Sequence, residues 1–154
     1  MRRARKARGR GAGAAAKGRG RAVRWSATAL MREAERARRT AYAPYSHFAV
    51  GAALLARDGR VFLGCNIENA SFGLSICAER NAIWKAVSEG GRDFVAVAVT
   101  AGPRRGASPC GACRQVLHEF APDLWVVWRE GRGLVKKRLA RLLDSAFDFP
   151  GMSR

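Results

Sequence analysis

No run in this 154-residue chain is long and apolar enough to cross a membrane, so a soluble protein with a cytoplasmic location is the expectation. No apolar stretch follows the Arg2-Arg3 pair, so neither a secretory nor a twin-arginine leader is expected. Acid is scarce, with 12 Asp and Glu against 29 Lys and Arg, and residues 1–24 hold ten basic residues and no acid at all. That segment also lacks aromatics and is rich in Gly and Ala, so it reads as a disordered basic tail. An arm for nucleic acid is the sharp reading of it. A solvated tail is the plain reading and the preferred one, because charge without aromatics is a weak recognition signal. A mitochondrial transit peptide shares the arginines, but Gly9, Gly11, Gly13, Gly18 and Gly20 break an amphipathic helix. A start at Val23, just before the first expected helix, is a further alternative. Residues 25–154 are read as one globular domain, in keeping with 48% apolar content over the chain.

Cysteine is scarce too. The four are Cys65, Cys77, Cys110 and Cys113, and in a reducing compartment such clustering points to metal or redox chemistry rather than a disulfide framework. Cys77-Ala78-Glu79 and Pro109-Cys110-Gly111-Ala112-Cys113 place three cysteines at metal-ligand spacing, with a glutamate two residues after the first. Three thiolates hold zinc and leave a fourth tetrahedral position open for water, whose pKa the metal lowers. A neighbouring carboxylate that is not a ligand can then carry protons, which is the pattern of zinc-dependent nucleobase deaminases. Cys110 and Cys113 alone would also suit a redox pair or half of a structural zinc knuckle. The redox reading gives Cys77 and Glu79 no task. The structural reading needs a fourth ligand, and Cys65, on an expected strand, reads as a small buried hydrophobe. His47 and His118 are conceivable ligands, but His118, five residues past Cys113, points off the ligand face. Glu79 could be an ordinary first-turn acid, but its place beside a metal cysteine favours the proton shuttle. Arg80 is either a solvated helix residue or a donor to the thiolates.

Ser26 predicts a helix cap, with the helix running to about Thr40. Phe48 to Arg57 and Arg60 to Ile67 read as strands joined at Asp58-Gly59, and Cys77 to Glu89 as a helix ended by Gly90-Gly91. Phe94 to Thr100 reads as a strand buried on both faces, Cys110 to Phe120 as a helix, and Leu124 to Trp128 as a strand. Lys136 to Leu143 reads as a short basic helix. This order implies an α/β fold, a mixed sheet with helices on its faces. The ligand clusters fall at helix N-termini, where the partial positive charge favours thiolate.

Several motifs in order go further: Ala41-Tyr42-Ala43-Pro44-Tyr45-Ser46, Phe48-Ala49-Val50-Gly51-Ala52-Ala53, Gly64-Cys65-Asn66-Ile67-Glu68-Asn69-Ala70, Cys77-Ala78-Glu79-Arg80 and Ser108-Pro109-Cys110-Gly111-Ala112-Cys113-Arg114-Gln115. From about Ser26 to about Phe147 the chain resembles cytidine deaminases of the small homotetrameric, three-cysteine zinc type. The resemblance implies a three-layer fold around a mixed five-stranded sheet. It implies one zinc ion per subunit on Cys77, Cys110 and Cys113, with Glu79 as the proton shuttle. Asn66 and Glu68 would meet the ribose hydroxyls, Phe48 would pack on the pyrimidine, and the backbone of Ala78 would contact the base. Arg80 would donate to the sulfurs, with Gln115 in support. Phe147 would reach a neighbouring subunit's site, although the Asp144–Pro150 exit matches the family loosely.

The implied reaction is hydrolytic deamination of cytidine and deoxycytidine to uridine and deoxyuridine plus ammonia, a step of pyrimidine salvage. The metal-activated water adds at C4, while Glu79 protonates N3 and then the leaving amine. One alternative is deamination of another cytosine compound such as blasticidin S, against which Glu68 argues, because that resistance enzyme keeps the asparagine but not the glutamate. Another is a polynucleotide-binding deaminase that uses residues 1–24, for which the body leaves little room.

Overall fold

The computed structural model describes residues 23–103 and 105–150. Nearly all of the basic segment read as a tail lies outside the described residues. Three helices, α1 (Ala27–Arg38), α2 (Ala78–Ser88) and α3 (Gly111–Phe120), surround five strands: β1 (Gly51–Ala56), β2 (Val61–Cys65), β3 (Phe94–Thr100), β4 (Trp125–Glu130) and β5 (Gly133–Arg138). The strands form one mixed sheet in the order β2-β1-β3-β4-β5. Only β3 and β4 run parallel, joined by the crossover that contains α3.

Alternation along the strands builds two cores. Ala53, Leu55, Ala96, Ala98 and Val127 face α1, where they meet Leu30, Met31 and Ala34. Ala52, Leu54, Val97, Val99 and Val126 face the other way, against Ala82 and Ile83 of α2 and Leu117 of α3. Every residue of β1 is buried, as a strand covered on both faces requires. Ser26 caps α1, its Oγ accepting from the Ala29 amide at 3.4 Å.

Two glycines set how closely the helices approach. A Cβ on Gly51 would collide with the Ala34 carbonyl and Arg38 amide of α1, and one on Gly64 with the Ala78 carbonyl and Ala82 amide of α2. Gly64 therefore lets the first turn of α2 lie directly on β2.

The expected three-layer α/β architecture with a five-stranded mixed sheet is the one observed. Two local readings are corrected. Gly133–Arg138 is a strand, not part of a basic helix: it pairs antiparallel with β4 from Trp125↔Arg138 to Glu130↔Gly133. Only a short 3-10 turn, Leu139–Arg141, follows. Helix-favouring Lys and Arg lose here to an open sheet edge and to cation–π contacts. The Lys136 ammonium lies between the Trp25 and Trp125 rings, 4.4 and 4.3 Å from their centroids. The first strand begins at Gly51 rather than Phe48, because side chains rather than a strand ladder hold the residues before it.

Candidate active site

Cys77 and Cys110 are the N-cap residues of α2 and α3, and Cys113 lies in the first turn of α3. Their three sulfurs lie within 4.8 Å of one another, the one such cluster of potential metal ligands found among the described residues. Cys65 stands apart from it, buried, with its Sγ 3.4 Å from the Thr40 carbonyl.

Three adjacent thiols cannot all ionise freely. A hydrogen bond from Cys113 draws Cys77 down to about 5, despite burial and with help from Arg80. The same bond, with burial and the charge of Glu79, pushes the Cys113 thiol up. A divalent cation removes that competition, since each sulfur then faces positive charge. Three clustered cysteine sulfurs are a donor set that zinc favours, and two helix N-termini supply partial positive charge. The residues present therefore fit zinc.

Arg80 Nη2 donates to Cys77 Sγ at 3.3 Å, and that bond holds the guanidinium more firmly protonated. Glu79 is buried, and burial, followed by the charge of Cys77, raises its carboxyl to about 7. A carboxyl that titrates near neutral pH suits proton transfer in either direction.

A cavity of about 570 Å³ opens beside this cluster, lined by Cys77, Ala78, Glu79, Arg80 and Cys110 on one wall and by Ser46, Phe48, Asn66 and Glu68 on another. The second wall is held differently. Asn66 Nδ2 donates to the Phe48 carbonyl and its Oδ1 accepts from the Val50 amide, both at 2.8 Å. Glu68 Oε2 accepts from the Tyr45 and Ser46 amides at 3.0 and 3.2 Å, and Oε1 accepts from the Ser46 hydroxyl. That hydroxyl, ahead of the two amides, holds the Glu68 carboxyl below its usual range although burial opposes it.

Gln115 and Phe147 meet each other rather than the cavity. Gln115 Nε2 donates to the Phe147 carbonyl at 2.8 Å, and its Oε1 accepts from the Phe147 amide at 3.0 Å. The ring of Phe147 is 68% exposed, outside the cavity lining. His118 contacts Asp148, with Nε2 3.4 Å from Oδ1, and stands outside the sulfur cluster.

Two residues escaped the sequence reading. Arg114 Nε donates to the Pro109 carbonyl at 2.8 Å, while Nη1 and Nη2 reach the Leu142 carbonyl and Ser108 Oγ at 2.7 and 3.2 Å, so it fixes the approach to Cys110. Its place four residues after a metal cysteine was the available signal. Ser46 was given no role of its own, and its bond to Glu68 spans 22 positions.

The cytidine and deoxycytidylate deaminase zinc-binding region matches residues 25–128. The chain belongs to this deaminase family. A cytidine deaminase of Halalkalibacterium halodurans is 61% identical over 126 residues, covering 80% of this chain and 96% of the relative. The crystal structure of cytidine deaminase from Burkholderia pseudomallei superposes with a TM-score of 0.75 at 47% identity, covering 80% of this chain and all of the other. A blasticidin-S deaminase of Bacillus cereus is 33% identical over 102 residues, 61% of this chain and 73% of that enzyme. Membership of the family makes this chain a zinc-dependent deaminase.

Proposed function

We propose that the chain deaminates cytidine and deoxycytidine by hydrolysis, giving the uracil nucleosides and ammonia in pyrimidine salvage. The observation that carries this reading is the meeting of a buried, near-neutral Glu79 and three clustered thiols with Asn66 and Glu68 in one cavity. A zinc ion on Cys77, Cys110 and Cys113 supplies an acidified water near neutral pH. Arg80 offsets the negative charge of the thiolates and orients Cys77. Phe48 packs on the pyrimidine and the Ala78 backbone meets the base. Asn66 and Glu68 face the sugar hydroxyls, as polar groups that reject substrates lacking them.

Glu79 accepts a proton from the water and passes it to N3 as oxygen adds to C4. It then takes the proton of the new C4 hydroxyl and delivers it to the amine, so that the C4–N bond breaks, ammonia leaves and the C4 carbonyl forms. Burial of the carboxyl shields each proton it carries from exchange with solvent.

The reading extends to assembly. Phe72 and Leu74, each 73% exposed, and Trp84 leave apolar surface open on the single chain. Together with exposed Phe147, they support a homotetramer with shared sites in which Gln115 presents Phe147 to a neighbour. The cytoplasm is the proposed location; no helix among the described residues is long and apolar enough to cross a membrane. Residues 25–154 form the proposed catalytic domain, and residues 1–24 the proposed solvated tail.

The test is ultraviolet absorbance of cytidine with the purified protein and with Glu79→Gln. Conversion to the uridine spectrum is expected, reduced about 10²- to 10⁴-fold in the variant while zinc content is retained. Action on blasticidin S without action on cytidine would overturn the substrate assignment.

A further inference from the structure

The segment from Ala43 to Ala49 lies outside both strands, and side chains decide where it sits. Tyr42 is anchored, its amide donating to the Asn66 carbonyl at 3.0 Å and its carbonyl accepting from the Glu68 amide at 2.8 Å. Val50 is anchored at the other end, its carbonyl accepting from the Asn66 amide at 3.1 Å. Between them, His47 adopts a φ of +52°, a conformation that a residue with a side chain holds only when its surroundings impose it. Phe48 follows directly. Its carbonyl is held by Asn66, and its amide donates to Ser46 Oγ at 3.1 Å.

Ser46 is thus engaged twice through one atom. Its hydroxyl proton goes to Glu68 Oε1, and its oxygen accepts from Phe48. Glu68 is nearly saturated. A carboxylate oxygen offers about two acceptor sites, and Oε2 already takes two amides. Oε1 takes the Ser46 hydroxyl, so the remaining acceptor site lies on the oxygen that Ser46 occupies. A sugar hydroxyl that donates to Glu68 must share that oxygen with Ser46. The groups then form one chain of hydrogen bonds: sugar hydroxyl, Glu68, Ser46 and the Phe48 amide. Bonds in such a chain polarise one another.

We propose that Ser46 is a positioning residue that couples recognition of the sugar hydroxyl to the placement of Phe48 against the base. The inference rests on the reading of Glu68 as the sugar-binding carboxylate. It adds that the two halves of the nucleoside are read jointly: a ligand lacking the hydroxyl loses its contact to Glu68 and also meets a less firmly held Phe48.

The test measures kcat and KM for cytidine and 3′-deoxycytidine with the wild type, Ser46→Ala and Ser46→Thr, with zinc content and thermal melting recorded for each. Ser46 is exposed, so the threonine methyl has room while the hydroxyl is kept. The wild type is expected to prefer cytidine in kcat/KM by about 10- to 100-fold. Ser46→Ala is expected to shrink that preference about fivefold, through loss on cytidine, with zinc content unchanged. Ser46→Thr is expected to restore it. Equal loss on both substrates would assign Ser46 to loop structure alone and overturn the coupling, as would an unchanged preference in Ser46→Ala or no recovery in Ser46→Thr. A wild type that deaminates both substrates equally well would remove the sugar reading and the coupling with it. A wild type inactive on cytidine would remove the proposed substrate itself.

Discussion

The two walls of the cavity are built by different physics. The cysteine wall sits on helix N-termini packed into the core, with Glu79 and Cys113 buried and α2 lying directly on β2 through Gly64. The Glu68 wall is an exposed loop held by side-chain bonds to backbone, with Phe48 37% exposed. Bond making at C4 requires groups fixed to a fraction of an ångström. Admission and release of a nucleoside require a wall that costs little to open. Under the proposed function, each task falls on the part of the fold suited to it.

Zinc removal should break the first wall most severely. A chelator is expected to abolish deamination and lower the melting temperature, since ion binding at a thousandfold excess over Kd contributes about 4 kcal/mol to stability. Re-addition of zinc should restore both. Gly64→Ala attacks the same wall from beneath. With no room for a methyl between β2 and α2, it is expected to cost about 2–3 kcal/mol and reduce zinc content, read by urea unfolding and metal analysis. The second wall should respond more mildly. His47→Val forces a β-branched residue into the left-handed region, for an expected loss of about 1–2 kcal/mol in urea unfolding and a raised KM for cytidine, with zinc content untouched. His47→Gly should show neither effect.

The smallest effect lies on the α1 face, away from both walls. Burial raises the Glu35 carboxyl, but hydrogen bonds from Thr100 and Arg38 outweigh it and leave it below 4.5. A carboxyl depressed in the folded state stabilises fully above its unfolded pKa and loses that contribution as pH falls through the folded one. Because the group is partly solvated, the loss should stay below about 1 kcal/mol. Stability measured against pH in Glu35→Gln should lack it.

The same division explains what was legible in the sequence. Cys77 and Glu79 lie two residues apart, and Cys110 and Cys113 share one helical turn, so local spacing reveals that wall. β3 declared itself by six consecutive apolar residues, Phe94 to Val99, between helices. The Glu68 wall joins positions 22 or 23 apart through a serine and two backbone amides, and such pairing leaves no periodic trace. Family resemblance, not spacing, brought Asn66, Glu68 and Phe48 forward. β5 was misread because Lys136, Lys137 and Arg138 favour a helix when taken alone, whereas their pairing with β4 is tertiary.

That strand has a colloidal consequence. The sheet ends at β2 and β5, and an open strand edge invites another chain to add to it. Exposed Lys136, Lys137 and Arg138 at the β5 edge make two copies repel when they approach there. Growth by strand addition is discouraged on that side. A fringe of like charge at one rim thus works against an open fibre.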